Sequence, residues 1–162
     1  LRAFAFAAAR GPLLDSHRDQ LKPEVIWNIE AGRGLDVDRI GNAQVARGAI
    51  MHAAAAFFAD YDLLLCPAAV VPPFDVTTRW PQAVGAHRFE TYIDWLLICS
   101  AITLTACPAL SVPCGLTTDG QPVGLQMVAP HRREDRLLGA AALFEQASGL
   151  AGTTPIDPRP GA

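Results

Sequence analysis

The sequence is poor in the residues that most enzyme mechanisms draw on. Lys22 is its single lysine, and its four serines, Ser16, Ser100, Ser111 and Ser148, are scattered, none beside another. A G-x-S-x-G nucleophile elbow, a P-loop and a G-x-G-x-x-G fingerprint are all missing, which removes the best-marked nucleophile, phosphate and dinucleotide loops. Basic runs are missing too. Nothing exceeds Arg132-Arg133, and 13 Lys plus Arg against 16 Asp plus Glu leave a net charge of -3. A chain without a basic stripe to neutralise phosphates is read as having no nucleic-acid partner. The four cysteines, at 66, 99, 107 and 114, form no C-x-x-C, and three of them sit in apolar segments as buried thiols do. His17, His52, His87 and His131 each stand more than 30 residues from the next, so no metal-ligand spacing exists and no metal or other cofactor is expected.

What is present describes a globular chain. At 162 residues and 17.3 kDa it is long enough for a real core, and it is read as a single unit over 1–162. Hydrophobic residues make up 51%, but 28 of them are alanines, so helix-forming filler dominates over large core side chains. Residues 95–118 carry no charge over 24 positions, the length of a membrane span. Ser100, Thr103, Thr105, Pro108, Ser111, Pro113 and Gly115 interrupt that stretch, which therefore reads as a buried helix running into a buried strand. With no membrane span and no export signal in view, the chain is placed in the cytoplasm. It opens on Leu1 and its methionines are Met51 and Met127, so it is read as a piece of a longer protein.

Periodicity supplies the elements. Ala46, Ile50, Ala53 and Phe57 recur at the helical period and predict a helix over 42–59, with Asn42 as its N-cap. The run Leu63-Leu64-Leu65-Cys66, closed by Pro67, predicts a short strand covered on both faces. A long Pro-rich connection follows, of the kind that lines sites, and then a helix is expected over 88–105. Residues 110–116 and 123–129 flank Thr117-Thr118-Asp119-Gly120, where Asp-Gly signals a hairpin. Glu134 and Asp135 open a last helix that Gly149 stops, with Leu137, Leu138, Ala141 and Phe144 turned to the core. Residues 21–34 read as a short helix and loop, and 152–162 as a Pro-rich tail. Strands interleaved with helices predict an α/β sandwich with a mixed sheet.

Local chemistry is thin. Cys114, in Pro113-Cys114-Gly115, is a candidate nucleophile that needs a His base, or else a thiol packed at a strand end. The run Asp15-Ser16-His17-Arg18-Asp19 reads as a solvated polar turn.

Four phrases in fixed order carry more. Asp62-Leu63-Leu64-Leu65-Cys66-Pro67, Cys107-Pro108-Ala109-Leu110-Ser111-Val112-Pro113-Cys114-Gly115, Gly120-Gln121-Pro122-Val123-Gly124-Leu125-Gln126, and Glu134 with Leu137-Leu138 together resemble the C-terminal part of the amidase signature family. The likeness extends over 21–149. It implies a mixed-sheet α/β/α sandwich and a parent enzyme that hydrolyses amide C–N bonds with a Ser-cisSer-Lys triad. That triad belongs to the family's N-terminal half. Here there is no Ser-Ser, no Gly-Gly-Ser and no second lysine, and Lys22 lies in Leu21-Lys22-Pro23-Glu24, which matches a non-catalytic part. No catalytic residue is therefore assigned, and the chain alone is expected to hydrolyse nothing.

The resemblance also implies substrate-side residues. Arg47, 15 residues before Asp62, occupies the position where amidotransferase A subunits place a substrate-binding Arg. The alternative is a surface Arg on an amphipathic helix. Trp95, with Phe74, is a candidate wall of an apolar acyl site; the alternative is ordinary helix packing. Amidotransferase A subunits usually read Asn-Leu-x-Gly where this chain has Thr103-Leu104-Thr105-Ala106, and their acidic residue falls at Leu96, with Asp94 two positions away. Both departures favour an amidase acting on a small-molecule amide over an amidotransferase A-subunit piece. A non-catalytic binding or assembly module on the same scaffold remains the competing class. A sheet cut from a larger one exposes an edge, so self-association is expected.

Overall fold

The computed structural model describes residues 1–150; the tail expected at 152–162 lies outside the described residues. The chain, read from sequence as one unit, clusters into two compact units, Leu1–Ile50 and Met51–Ala162.

The first unit is built on two helices, α1 (Arg2–His17) and α2 (Pro23–Arg33). Pro23 sits in the first turn of α2, where its missing N–H costs no hydrogen bond. Alanines at Ala3 and Ala7 let the helices approach closely, and Gly32 completes the contact. A Cβ built on Gly32 stands 2.1 Å from the Ala3 carbonyl oxygen and 2.5 Å from the Ala7 Cβ. Beside this contact Ile29 and Asn28 are buried. The Asn28 amide donates to the Glu24 carbonyl at 2.8 Å and accepts from Arg2. Arg33 reaches from α2 to the Gly11 carbonyl at 3.1 Å and to the Asp15 carboxylate at 2.7 Å, and that hydrogen bond holds the Asp15 carboxyl below its usual range.

Helix α3 (Val37–Asp60) starts earlier than expected. The Asp36 carboxylate accepts the Arg39 N–H at 2.7 Å and caps the first turn. Asn42, expected as the cap, therefore lies inside the helix. Its C-terminal end carries Phe57, stacked on Tyr61 with centroids 4.6 Å apart.

The second unit holds a three-stranded sheet in the order β1-β5-β4, from β1 (Leu64–Pro67), β4 (Ala109–Leu116) and β5 (Pro122–Val128). Both pairings are antiparallel, with Leu64 opposite Val128 and Leu110 opposite Met127. The hairpin forms as expected. Thr117 N–H donates to the Gln121 carbonyl at 2.8 Å, and Gly120 takes a φ of +84° that a side chain would resist. Strand β1 corrects the sequence expectation: it is an edge strand among the described residues, and Leu65 is 52% exposed. An unbroken apolar run of four residues fits an edge as well as a centre, because its length sets no face.

Helix α5 (Glu134–Ser148) packs on this sheet, and Gly149 closes it in the left-handed conformation at φ +65°. Leu137 and Ala141 join Val112, Met127 and Ala129 in one buried cluster, with Leu63, Leu110, Leu125 and Phe144 packed against it. Leu138, expected inside, is 64% exposed, since it is one residue, or about 100°, round the helix from Leu137.

The helix expected over 88–105 is broken up. A small hairpin, β2 (Ala83–Val84) with β3 (His87–Arg88), comes first; a 3-10 turn over Asp94–Leu96 and the short α4 (Leu97–Leu104) follow. The cause is Asp94. Its carboxylate accepts the backbone N–H groups of Glu90 and Thr91 at 2.9 and 2.8 Å and the Thr91 hydroxyl at 2.9 Å. These bonds fix a turn where the apolar period suggested a helix.

Candidate functional site

The second unit contains a cavity of about 550 Å³ between the chain that leaves β1 and the start of β5. Residues 67–74 form one side, residues 122–124 the other, and Trp95 and Thr117 complete the lining. Sequence dictates this shape in two ways. Pro67 ends β1, the chain bends over residues 68–71, and Pro72 and Pro73 restrict the backbone that follows. Gly124 lets it rest directly on β5: Ala68 N–H donates to the Gly124 carbonyl at 3.0 Å, and a Cβ on Gly124 would stand 2.8 Å from the Ser111 Oγ and 3.0 Å from the Ala68 Cβ.

Trp95 and Phe74, paired from sequence as candidate walls, do line this cavity together. Their rings meet edge to face, with centroids 5.8 Å apart and an interplanar angle of 86°. No lining residue is charged, and Thr117 alone brings a hydroxyl. That hydroxyl donates to the Asp119 carboxylate at 2.6 Å and accepts the Gln121 N–H at 2.9 Å. The site is thus an apolar receptacle with no side chain ready to receive a charge.

Arg47 lies on α3 within Leu1–Ile50. Its Nε is buried and has no hydrogen-bond partner among the described residues. The residue as a whole is half-buried, and this one orphaned donor is a feature that sequence alone did not offer.

The other polar candidates do not assemble a reaction centre. Lys22 is exposed just ahead of α2. Ser16 and His17 touch at 2.6 Å, but the Ser16 hydroxyl also donates to the Pro12 carbonyl at 2.9 Å and both side chains are exposed. Cys114 is exposed in the bulge between Pro113 and Gly115, and among the described residues no His reaches it. His131 instead contacts the Ala106 carbonyl at 2.8 Å. Asp94, two positions from the acidic site of amidotransferases, spends its carboxylate on the turn described above. The Thr91 N–H and hydroxyl, the Glu90 N–H and the nearby His87 all hold its pKa below the usual value. No group of three His, Cys, Asp or Glu suited to a metal occurs among the described residues.

Cys66 and Cys99 flank the cavity wall. Cys66 donates to the Gln126 amide oxygen at 3.3 Å and Cys99 to the Ala68 carbonyl at 3.4 Å. Burial pushes the Cys66 thiol up, and the nearby Cys99 adds to the shift. A raised pKa means less thiolate at neutral pH. Iodoacetamide should therefore label Cys66 more slowly at pH 7.5 in the folded chain than in urea; equal rates, followed by mass spectrometry of the Cys66 peptide, would contradict this.

Residues 13–138 match the Amidase family. The chain belongs to that family. An acylamidase of Rhodococcus erythropolis is 36% identical over 135 residues, which is 83% of this chain and 28% of the relative. The A subunit of the glutamyl-tRNA(Gln) amidotransferase of Leptospira interrogans is 28% identical over 142 residues, which is 85% of this chain and again 28% of the relative. Among solved structures, a crystal structure of an amidase superposes with a TM-score of 0.81 at 22% identity, covering 91% of this chain and 33% of that one. The small antiparallel sheet flanked by helices is thus the α/β sandwich of the amidase signature fold. This amidase-family chain spans about a third or less of the proteins it resembles. No helix among its described residues is long and apolar enough to cross a membrane.

Proposed function

We propose that this chain is the C-terminal portion of an amide C–N hydrolase, which completes the sheet and supplies substrate-side residues but not the nucleophile. The apolar cavity between residues 67–74 and β5 carries the reading. It is built to take the uncharged part of a small-molecule amide, and it sits in a chain with one exposed lysine and no adjacent serines. Such a chain cannot assemble a Ser-cisSer-Lys triad from its own residues. On this reading Trp95 is the residue of the second unit that contacts the apolar portion of the substrate, and Arg47, in the first unit, is a separate candidate for contacting a substrate carboxylate.

The test is direct. The purified 162-residue chain should give no amide turnover above buffer, measured as aniline release from acetanilide; turnover that scales with chain concentration and survives repurification overturns the proposal. Reading the gene upstream of Leu1 separates the hydrolase from an assembly module: an in-frame Lys followed by a Gly-rich Ser-Ser stretch supports the first, and a start codon or stop supports the second. An amidotransferase A-subunit role is less well supported, because Asp94 is committed to its turn and the cavity offers no charged group.

Self-association belongs to the same proposal. Strands β1 and β4 each pair with β5 alone among the described residues, and Leu65, Leu116, Leu138 and Leu143 are at least half exposed. Open edges and apolar side chains of this kind drive pairing between copies. Sedimentation velocity should find a dimer or larger species at micromolar concentration. A monodisperse monomer would argue against it.

A further inference from the structure

Cys66 and Cys99 come from distant parts of the second unit's sequence and are anchored to one strand and its extension. Cys66 lies in β1 opposite Gln126 of β5, and its thiol donates to the Gln126 amide oxygen at 3.3 Å. The chain keeps to β5 beyond Pro67, since Ala68 N–H donates to the Gly124 carbonyl at 3.0 Å. The Ala68 carbonyl in turn accepts the Cys99 thiol of α4 at 3.4 Å. Two residues of extended chain span about 7 Å, so α4 brings its thiol down beside the end of β1. The two thiols are near enough for a charge on one to be felt by the other. Both are free and half-buried, and each gives its oxygen only a weak S–H donor. The other two cysteines are placed differently. Cys107 donates to the Thr105 carbonyl within its own loop at 3.8 Å, and Cys114 is exposed in the bulge of β4.

We propose that Cys66 and Cys99 are a redox pair, closed to a disulfide by a peroxide and reopened by a dithiol, which ties α4 to the end of β1. One thiolate attacks a peroxide oxygen; the O–O bond breaks, leaving a sulfenic acid and water. The other sulfur then attacks the sulfenic sulfur, the S–S bond forms as the S–O bond breaks, and a second water leaves. Two thiols give up two electrons and two protons, and one hydrogen peroxide becomes two waters. A dithiol reverses the link through a mixed disulfide. Closure needs Cα atoms within about 7 Å, and α4, a short helix with no fully buried residue, is the element that adjusts. The linked elements wall the cavity: Pro67 and Ala68 follow Cys66 directly, and Trp95 stands one helical turn before Cys99. The proposal needs neither substrate nor turnover and stands apart from the hydrolase reading.

The experiment uses the 162-residue chain with Cys114→Ser, which removes the exposed thiol. It is treated with hydrogen peroxide at neutral pH, blocked with iodoacetamide and digested without reductant. Mass spectrometry should find the Cys66 and Cys99 peptides joined within one chain and lighter together by two hydrogens, and dithiothreitol should restore both thiols to labelling. Adding Cys99→Ser should leave Cys66 unlinked. The link closes a loop of about 30 residues, and a melt without reductant should show a Tm higher by about 5–10 °C, a gain that dithiothreitol removes. Circular dichroism checks that the oxidised chain is folded. The absence of a Cys66–Cys99 link in the folded chain, a link to Cys107 in its place, or conversion of both thiols to sulfinic acid without linkage each overturns the proposal. So does a link that forms only in urea or leaves Tm unchanged.

Discussion

Gly32→Ala unfolds the helical unit at a temperature several degrees lower than the wild-type sequence. Two effects oppose each other at this position. Alanine in a helix interior is favoured over glycine by about 1 kcal/mol, so on propensity alone α2 would gain. The added methyl, however, is placed 2.1 Å from the Ala3 carbonyl oxygen and 2.5 Å from the Ala7 Cβ, and the nearer atom is backbone. Moving it means moving α1. Forcing a methyl into a packed contact costs about 1–3 kcal/mol and more where backbone must yield, so the net change is a loss of about 2 kcal/mol, or a fall of about 4–8 °C in Tm for a chain of this length. Gly48→Ala is the matched control. It makes the same change inside α3, where nothing lies within 4 Å of the new Cβ, and should leave Tm unchanged or raise it slightly. Thermal melts followed at 222 nm decide the matter: equal effects at the two glycines would show that helix propensity governs both and that the α1–α2 contact is loose.

The same contrast explains what the sequence did and did not disclose. The β4–β5 hairpin and α5 are legible because their signals are local: Asp119-Gly120 sets a turn, and Glu134, Asp135 and Gly149 mark the two ends of a helix. Three of the four family phrases lie in these same segments and the first lies in β1, so they agree with the fold class that the interleaved strands and helices predict. Trp95 and Phe74, offered from sequence as candidate walls of an apolar acyl site, meet edge to face in the cavity lining. What stayed hidden depends on partners far along the chain. Nothing near Leu65 tells that β1 lies at an edge, since its exposure depends on which strands flank β5. The break at Asp94 was hidden by competition: Phe89, Tyr92, Leu96 and Cys99 keep a helical period, while three hydrogen bonds to one carboxylate outweigh it over 90–94. The closeness demanded at Gly32 is invisible in sequence because a helical glycine is compatible with open space, as Gly41 and Gly48 show.

Arg47→Met in the full-length protein separates function from stability. A buried N–H without an acceptor costs about 1–3 kcal/mol, and the Arg47 Nε is such a donor among the described residues. Methionine keeps the length and apolar body of the side chain and deletes the orphan. If Arg47 were a structural residue, its loss would lower stability. If it is held unpaired for a substrate carboxylate, its loss should leave Tm unchanged or raise it while binding suffers. A hydrogen bond to a charged group is worth about 1.5–3 kcal/mol, so KM for a carboxylate-bearing amide should rise by about 10- to 100-fold. For acetanilide, which carries no carboxylate, KM should hardly change, because it offers no charged group for the Arg47 guanidinium to bind. Steady-state kinetics with acetanilide and with a carboxylate-bearing amide such as glutamine, together with a melting curve, give the answer. A lower Tm with unchanged KM for both substrates would make Arg47 a structural residue of α3, whereas equal rises in both KM values would place it at the reacting amide rather than at a carboxylate.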